Sequence, residues 1–417
     1  MGYDLSSIDF AGIYGRSVYA EGQPARYKEA IRSFEERFGP AEDINIFSAP
    51  GRTEICGNHT DHQHGQVLAA SIDRDAIAIV KKTDKGSIRL FSGDSDMFSI
   101  DLDGLDKDMS QEGTTWALIK GVARDISDEG YKIGPFDAYV TSDVLIGAGL
   151  SSSASFETLI GTITSGLYND MKIDPVTIAK AGKYAENHYF GKPSGLMDQI
   201  ACSVGNAVYI DFRDPGSPEI SRVDLDLEAA GYDLLITDTK GSHSDLTPEY
   251  AAITEEMRKV AGLLGHEYLR DVSGEDILNN IVSLRENAGD RAVLRAIHFT
   301  RETRRAEECL KALEDADIKG FINVIRKSGD SSYKFLQNIY PAGEIFHQNM
   351  AIALTLSEEV LSDEECARVH GGGFAGTIQA FVRKDNTEKY RDLMDKTFGE
   401  GSCQVLNIRK FGGIKVL

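Results

Sequence analysis

Four things are missing from this chain, and each absence narrows what it can be. Nowhere do about 18 apolar residues run together, so no transmembrane helix is expected. The start, Met1-Gly2-Tyr3-Asp4-Leu5, has neither the basic residues nor the apolar stretch of a signal peptide. The cysteines, Cys56, Cys202, Cys309, Cys366 and Cys403, are odd in number, scattered and without a Cys-x-x-Cys pair. They read as reduced thiols of a cytoplasmic protein, not as a disulfide frame or zinc site. Basic residues are scarce, 45 against 66 acidic, for a formal net charge of -21. Such a surface repels nucleic acid and anionic membranes, which leaves small molecules as the expected ligands. An anionic ligand would then need a local cationic pocket.

What is present suits a large globular protein. The 417 residues suggest two or three domains, and 41% hydrophobic content supplies their cores. Residues 24–38 have helical spacing through Tyr27, Ile31, Phe34 and Phe38, and Gly39-Pro40 ends the pattern. Strands are expected at 44–49, 77–80, 88–92, 136–141 and 376–382. Helices are expected at 116–122, 153–168, 176–190 and 248–264, with a long charged helical stretch over 274–316. Strands and helices mix without a steady βαβ rhythm, which gives an α+β class. The clearest break is Pro215-Gly216-Ser217-Pro218, and we place a domain boundary there, between 1–215 and 216–417.

Four polar, glycine-punctuated runs carry the chemistry. The first, GRTEICGNHTDHQHG at 51–65, follows a strand, where binding residues often sit. Arg52 offers a cationic fork for an anion, and His59 and Asp61 suit sugar-like hydroxyls. The competing reading is a metal site at His59, His62 and His64, against which the spacing argues. The second run, GAGLSSSAS at 147–155, joins a strand to a helix. A helix N-terminus with free N–H groups beside glycines is a candidate phosphate cradle. No Gly-Lys-Ser/Thr follows, so it is not a Walker A loop, and it is not GxGxxG either. An ordinary Ser/Gly turn capping a helix would look similar. The third, GKPSGLMDQ at 191–199, follows a helix containing Glu186, and Asp198 there can orient or deprotonate a hydroxyl or simply cap a helix. The fourth, HGGGFAG at 370–376, implies close backbone approach, either to a ligand or to the other loops.

In this order the four runs resemble the galactokinases of the GHMP small-molecule kinase family. The usual GRxNxxGEHTDYxxG stands as GRTEICGNHTDHQHG, CGxMDQ as SGLMDQ and GGGFGG as GGGFAG, while GAGLSSSAS matches. Trp116 with Lys120-Gly121-Val122 also fits the family pattern, and the likeness runs from about residue 24 to the end. It implies ATP-dependent phosphorylation of the anomeric hydroxyl of a hexose, galactose first, on a two-domain α+β fold with the site in the cleft. Gly147, Gly149, Leu150, Ser151, Ser152, Ser153 and Ala154 would hold the ATP phosphates, and Trp116 would line the adenine pocket. Ser153 and Glu186 would bind Mg²⁺. Asp198 and Arg52 would be catalytic; Asn58, His59, Asp61, Gly195 and Tyr250 would meet the sugar, and Gly371, Gly372 and Gly373 would close the site. The expected assembly is a monomer or weak homo-oligomer.

The departures define the alternatives. Asn58 replaces the usual Glu, Glu54 the usual Asn, His62 a Tyr and Ser194 a Cys. With the charge at position 58 gone, a C6 carboxylate such as that of galacturonate would not be repelled, so we expect Asn58 to set tolerance at C6. N-acetylgalactosamine is a further candidate sugar. A sensor that binds sugar and ATP without turnover is opposed by the intact Asp198 and Arg52. A kinase for another small alcohol, such as mevalonate or homoserine, is opposed by the His-Thr-Asp run.

Overall fold

The computed structural model describes residues 3–15, 17–40, 42–145, 149–192, 194–241, 246–374 and 376–417. Helix α1 (Phe10–Tyr14) leads into α2 (Val18–Phe38). The second helix begins ahead of the expected residue 24 because the Ser17 side chain accepts from Ala20 N and caps it, leaving Pro24 inside. Strand β1 (Asn45–Cys56) is also longer than the alternation indicates. It runs on through Gly51, Arg52 and Glu54, buried at every position after Asn45. Its register shifts between Pro50 and Arg52 and again between Glu54 and Cys56. Such bulges re-aim side chains and break strict alternation, which is why this stretch reads as a loop in sequence.

Beyond it come β2 (Gln66–Lys82), β3 (Ser87–Ser92), β4 (Phe98–Asp101), α3 (Thr115–Asp128), β5 (Phe136–Ser142), α4 (Ser152–Tyr168) and α5 (Pro175–Tyr184). A π-helical turn, Ala185–Phe190, continues α5. Next are α6 (Met197–Val204), β6 (Ala207–Asp211), β7 (Glu219–Val223), β8 (Tyr232–Asp238) and α7 (Thr247–Leu263). The 274–316 stretch is three helices, α8 (Gly274–Asn279), α9 (Ile281–Ala288) and α10 (Asp290–Glu314). The chain turns at Asn280 and at Gly289, whose φ of 91° suits glycine. The remainder is α11 (Ile318–Ser331), α12 (Asn349–Val360), β9 (Cys366–Val369), β10 (Thr377–Arg383), α13 (Thr387–Phe398), β11 (Cys403–Leu406) and β12 (Ile414–Lys415). Among the described residues no helix is long and apolar enough to cross a membrane. All five cysteines are buried and unbridged.

The class is α+β. One sheet has the order β12-β1-β2-β5-β3-β4, with β6 on β2 and β7 on β6, and all its pairs are antiparallel except β3 with β5. Strand β2 is long enough to serve two partners. Its first part pairs with β6 from Gln66↔Asp211 to Ala70↔Ala207, and its last part pairs with β5 from Ala76↔Ser142 to Lys82↔Phe136. Helices α3, α4 and α5 cover this sheet through Leu118, Val122, Leu159, Ile163 and Ile178, packed with Phe47, Ala49 and Val80. A second, antiparallel sheet has the order β11-β8-β10-β9. Side chains of the second sheet grip β1 directly. Gln379 Nε2 donates to Glu54 O at 2.5 Å, Arg368 Nη1 donates to Ile55 O, and Thr53 Oγ1 donates to Gln379 Oε1 at 3.2 Å.

The N-terminal arm is bolted to the first sheet by a buried charge. Asp75 on β2 is wholly enclosed. It takes Arg26 at 2.6 Å and Arg409 at 2.9 Å, and it accepts from Tyr14 Oη at 2.7 Å and from Ser48 Oγ. Burial alone would raise its pKa, but the two arginines outweigh burial and hold it below the ordinary carboxylate value. Removing one partner of such a group costs about 3–5 kcal/mol. Urea denaturation of Asp75→Asn at pH 7 should show a loss of that order. Because the folded-state pKa is depressed, this contribution is fully present above the unfolded value of about 3.9 and is lost as pH falls through the folded value. The gap between wild type and Asp75→Asn therefore narrows below about pH 4. A gap that stays constant into the acid range contradicts the assignment.

Candidate active site

Arg52 leaves β1 between its two bulges, with its side chain 8% exposed. Its fork meets Asp198 at the start of α6, Nε to Oδ1 at 2.8 Å and Nη2 to Oδ2 at 2.7 Å. Two parallel charge-assisted bonds fix both planes, which one ammonium would not do. The remaining guanidinium nitrogen, Nη1, donates to Gly149 O, and Ser151 Oγ donates to Asp198 Oδ2. Arg52 N donates to Leu150 O at 3.1 Å. This turn lies so close to β1 that a Cβ on Gly51 would sit 2.7 Å from Leu150 O. Gly149 (φ 66°) and Ser151 (φ 58°) both take left-handed backbone, and α4 starts at once after them with no side chain capping it. Its first N–H groups are thus uncapped at the positive end of the helix dipole. Ser152 and Ser153 line a cavity of about 950 Å³ together with Arg74, Thr115, Leu118 and Phe156. Trp116 stands beside that cavity, edge-on to Phe98 at 5.4 Å, and its neighbours Thr115 and Leu118 do the lining. Gly147 lies outside the described residues, while Ala154 is buried in the first turn of α4.

On the other side of Asp198 the first, third and fourth runs meet. A Cβ on Gly195 would lie 2.5 Å from Asp61 Oδ2, so the 194–199 segment passes directly against Asp61. Burial raises the pKa of Asp61, His59 opposes the rise, and the charge of Asp198 adds to it. The glycine-rich turn is held through three successive carbonyls. Gly371 O accepts from Asn58 Nδ2 at 2.7 Å, Gly372 O from His59 Nε2 at 2.8 Å, and Gly373 O from Tyr250 Oη at 2.9 Å. The His59 ring stacks on Tyr250 at 6.5 Å, and a Cβ on Gly372 would meet the Tyr250 ring at 2.6 Å. Gly372 and Gly373 are needed for close approach to the protein's own loops, a Cβ on Gly373 falling 2.1 Å from Asn338 O, whereas a Cβ on Gly371 would meet nothing within 4 Å.

Asn58, expected beside the sugar, is enclosed by protein groups in the structure. Its side chain does not face an open site, being 0% exposed. Beyond Gly371 O, its amide nitrogen reaches Glu54 Oε1 at 3.0 Å, and its Oδ1 takes Asn338 Nδ2 at 2.9 Å and Ser332 Oγ at 3.3 Å. Glu54 in turn faces Arg368 at 3.3 Å. Behind them Glu302 accepts from Gly57 N at 3.1 Å and pairs with Arg305 at 2.7 Å. Burial would raise the Glu302 pKa, but His298, Arg305 and Arg368 bring it down to about 2. The three histidines of the first run have separate surroundings. His59 holds Gly372, His64 stacks on Tyr268 at 3.8 Å, and burial pushes the His62 ring down to about 3.

Ser153 and Glu186 do come together, with Ser153 Oγ donating to Glu186 Oε1 at 2.8 Å. Gln199 Nε2 bridges Glu186 Oε2 at 3.1 Å and Glu157 Oε2 at 3.2 Å. Glu157 Oε1 and Gln199 Oε1 are buried with no hydrogen-bond partner. Burial, then the charge of Glu186, raises the Glu157 pKa well above the ordinary value. Such a hard-oxygen set fits a small divalent cation. Among the described residues no group of three or more His, Cys, Asp or Glu is placed to hold a metal; a cation here would draw its other ligands from phosphate and water. Sequence reasoning passed over Glu157, Arg368, Asn338 and Glu302. Gln199 and Lys192 stood inside a motif without an assigned part.

Comparison with known proteins agrees with this arrangement. The galactokinase galactose-binding signature matches residues 32–82, and the GHMP kinases N terminal domain matches residues 117–206. A galactokinase of Streptomyces coelicolor is 30% identical over 368 residues, covering 88% of this chain and 91% of the relative. One of Streptococcus suis is 29% identical over 379 residues, covering 88% and 92%. The crystal structure of Lactococcus lactis galactokinase complexed with galactose matches 94% of this chain and all of its own, with a TM-score of 0.79 at 23% identity. Mevalonate kinase of Methanococcus jannaschii shares the fold more distantly, at a TM-score of 0.62 and 15% identity over 88% of this chain and 99% of that one. With 30% identity extending over nine-tenths of a relative, and its two signatures falling on β1–β2 and α3–α6, this chain belongs to the galactokinase family of GHMP kinases.

Proposed function

We propose that the protein transfers the γ-phosphoryl group of ATP to the C1 hydroxyl of galactose. The observation that carries this reading is the position of the Asp198 carboxylate. It touches the Ser151 turn at the head of α4 on one side and lies by Asp61 and Gly195 on the other. A hydroxyl beside it would face a phosphate seated on the α4 N-terminus. The uncapped amides of α4, with Ser152 and Ser153, bind the phosphates. Glu186 and Ser153 would hold Mg²⁺, which would supply charge neutralisation at the phosphate oxygens. His59, Asp61 and Tyr250 orient the sugar. The C1 oxygen attacks Pγ, and the bond from Pγ to the bridging oxygen breaks with its electron pair leaving on ADP. The hydroxyl proton passes to Asp198 as the new O–P bond forms. Positioning and charge stabilisation supply most of the acceleration in such a transfer.

Arg52 shapes the part Asp198 plays. Burial would raise the pKa of Asp198, but Arg52 outweighs it, and the carboxyl stays below its ordinary value. The group is therefore ionised and is a better anchor for the hydroxyl than a base for an early proton. We also propose that the two sheets with their helices form two units meeting at this site. Since β7 pairs with β6, we move their division from residue 215 to the segment between β7 and β8.

Asn58, by contrast, is assigned to holding the 371–373 turn. Asn58→Glu would set a carboxylate against Glu54 Oε1 and Gly371 O, with like charges facing in a dry site. We expect it to lower thermal stability and to raise the galactose KM. It should not discriminate galactose from galacturonate; a selective loss of galacturonate turnover would return Asn58 to the C6 position. Asp198→Asn should reduce kcat by about 10²–10⁴ with galactose and MgATP while leaving ATP affinity near wild type. Coupled-assay kinetics with calorimetric nucleotide titration measure both, and a variant retaining half its kcat would refute the assignment.

A further inference from the structure

The 191–199 run holds one charged side chain that no step above uses. Gly191, with a φ of 83°, turns the chain back at the end of the π-helical segment, and Lys192 N donates to Glu186 O at 3.1 Å. The turn is tight against its surroundings, since a Cβ on Gly191 would fall 1.9 Å from Glu112 Oε1. It returns the Lys192 side chain over the same glutamate, with Nζ 3.1 Å from Glu186 Oε1. That oxygen is also the one to which Ser153 Oγ donates at 2.8 Å. The ammonium therefore stands beside the two oxygens suited to a divalent cation, as a bound positive charge would. Its side chain is 57% exposed, on a flexible stem that is free to move.

Charge supplies the reason for a second role. The site gathers Asp198, Glu186 and Asp61, and a triphosphate adds several more negative charges. Two other cations are at hand, but the three nitrogens of Arg52 are already committed to Asp198 and Gly149, and Arg74, which lines the cavity, is paired with Asp73 and Val405 O. The Lys192 charge reaches the reaction centre, for it is one of the influences that lower the pKa of Asp198, after Arg52 and Ser151.

We propose that Lys192 is a phosphate-contacting residue of the transfer, holding Glu186 while the metal is absent and moving onto the transferring phosphoryl group when metal and nucleotide bind. This rests on the kinase reading above. It has two consequences of opposite sign. In the free protein Lys192 competes with the divalent cation for Glu186, so it weakens metal binding. In the loaded site it meets charge that develops on the phosphoryl oxygens, so it raises kcat. A salt bridge with no part in the transfer would also compete with the metal but would leave kcat unchanged.

The test compares Lys192→Met and Lys192→Arg with wild type, using thermal melting to confirm that all three fold. Mn²⁺ binding to the protein without nucleotide is followed by the loss of the free Mn²⁺ spin-resonance signal. Lys192→Met should bind Mn²⁺ roughly three- to tenfold more tightly, because a like charge next to the ligand oxygen is gone. Its kcat with galactose and MgATP should fall about 10²-fold, with little change in the sugar KM. Lys192→Arg should return Mn²⁺ affinity to the wild-type value and restore part of kcat. Wild-type Mn²⁺ affinity or wild-type kcat in Lys192→Met overturns the proposal. Should the wild type transfer no phosphate to galactose, the substrate reading fails instead, and the Mn²⁺ measurement decides the position of Lys192 by itself.

Discussion

The bidentate pair between Arg52 and Asp198 is the contact around which the site is organised. It joins β1 to α6, and the third guanidinium nitrogen adds the turn ahead of α4. Ser151 closes the circle from that turn back to Asp198. Two planar groups thereby fix the distance between the helix N-terminus and the carboxylate. Geometry that holds reacting groups within fractions of an ångström is where such enzymes gain most of their rate. The same strand, two residues on, is held by Arg368 and Gln379 of the second sheet. Strand β1 thus carries contacts to α6 and to the second sheet within a few residues, and its bulges re-aim the side chains between them.

The glycine-rich turn follows a different physical logic. It spends three carbonyls on Asn58, His59 and Tyr250, so its shape is set by side chains from the loop after β1 and from α7. The departures at 54 and 58 make sense in this frame. Glu54 and Asn58 bond to each other, Glu54 is countered by Arg368, and the Asn58 oxygen is filled by Asn338 and Ser332. A buried polar cluster of this kind is tolerable only when its members are satisfied together, which makes single changes costly. In the structure Glu54 and Asn58 are one bonded pair within the cluster.

Sequence alone exposed the four runs, their order and the α+β class, because glycine, serine and charged residues in those places have few other uses. It pointed to Arg52 beside Asp198 and to Ser153 beside Glu186, and both pairs are in contact. It missed where β1 ends, since bulges erase the two-residue period that marks a strand. It read 274–316 as one long helical stretch, because the turns at Asn280 and Gly289 interrupt an otherwise helix-favouring composition. Above all, it could not tell a side chain aimed at a ligand from one aimed at a neighbouring loop. Asn58 needed Glu54, Gly371, Ser332 and Asn338 in place before its burial could be seen, and these partners come from as far as 280 residues along the chain. Lys192 likewise acquires meaning only through Glu186, which the Gly191 turn brings back against it.

The central claim is geometric: one carboxylate, held by Arg52, stands between a sugar and a phosphate cradle. A crystal structure of the protein with galactose, magnesium and a non-hydrolysable ATP analogue tests it most directly. The account predicts the C1 hydroxyl within hydrogen-bond reach of Asp198, with the γ-phosphate against the first amides of α4 and Ser153. A sugar bound with its C1 hydroxyl turned away from Asp198, or a nucleotide seated in a cavity other than the one lined by Ser152 and Ser153, would contradict it.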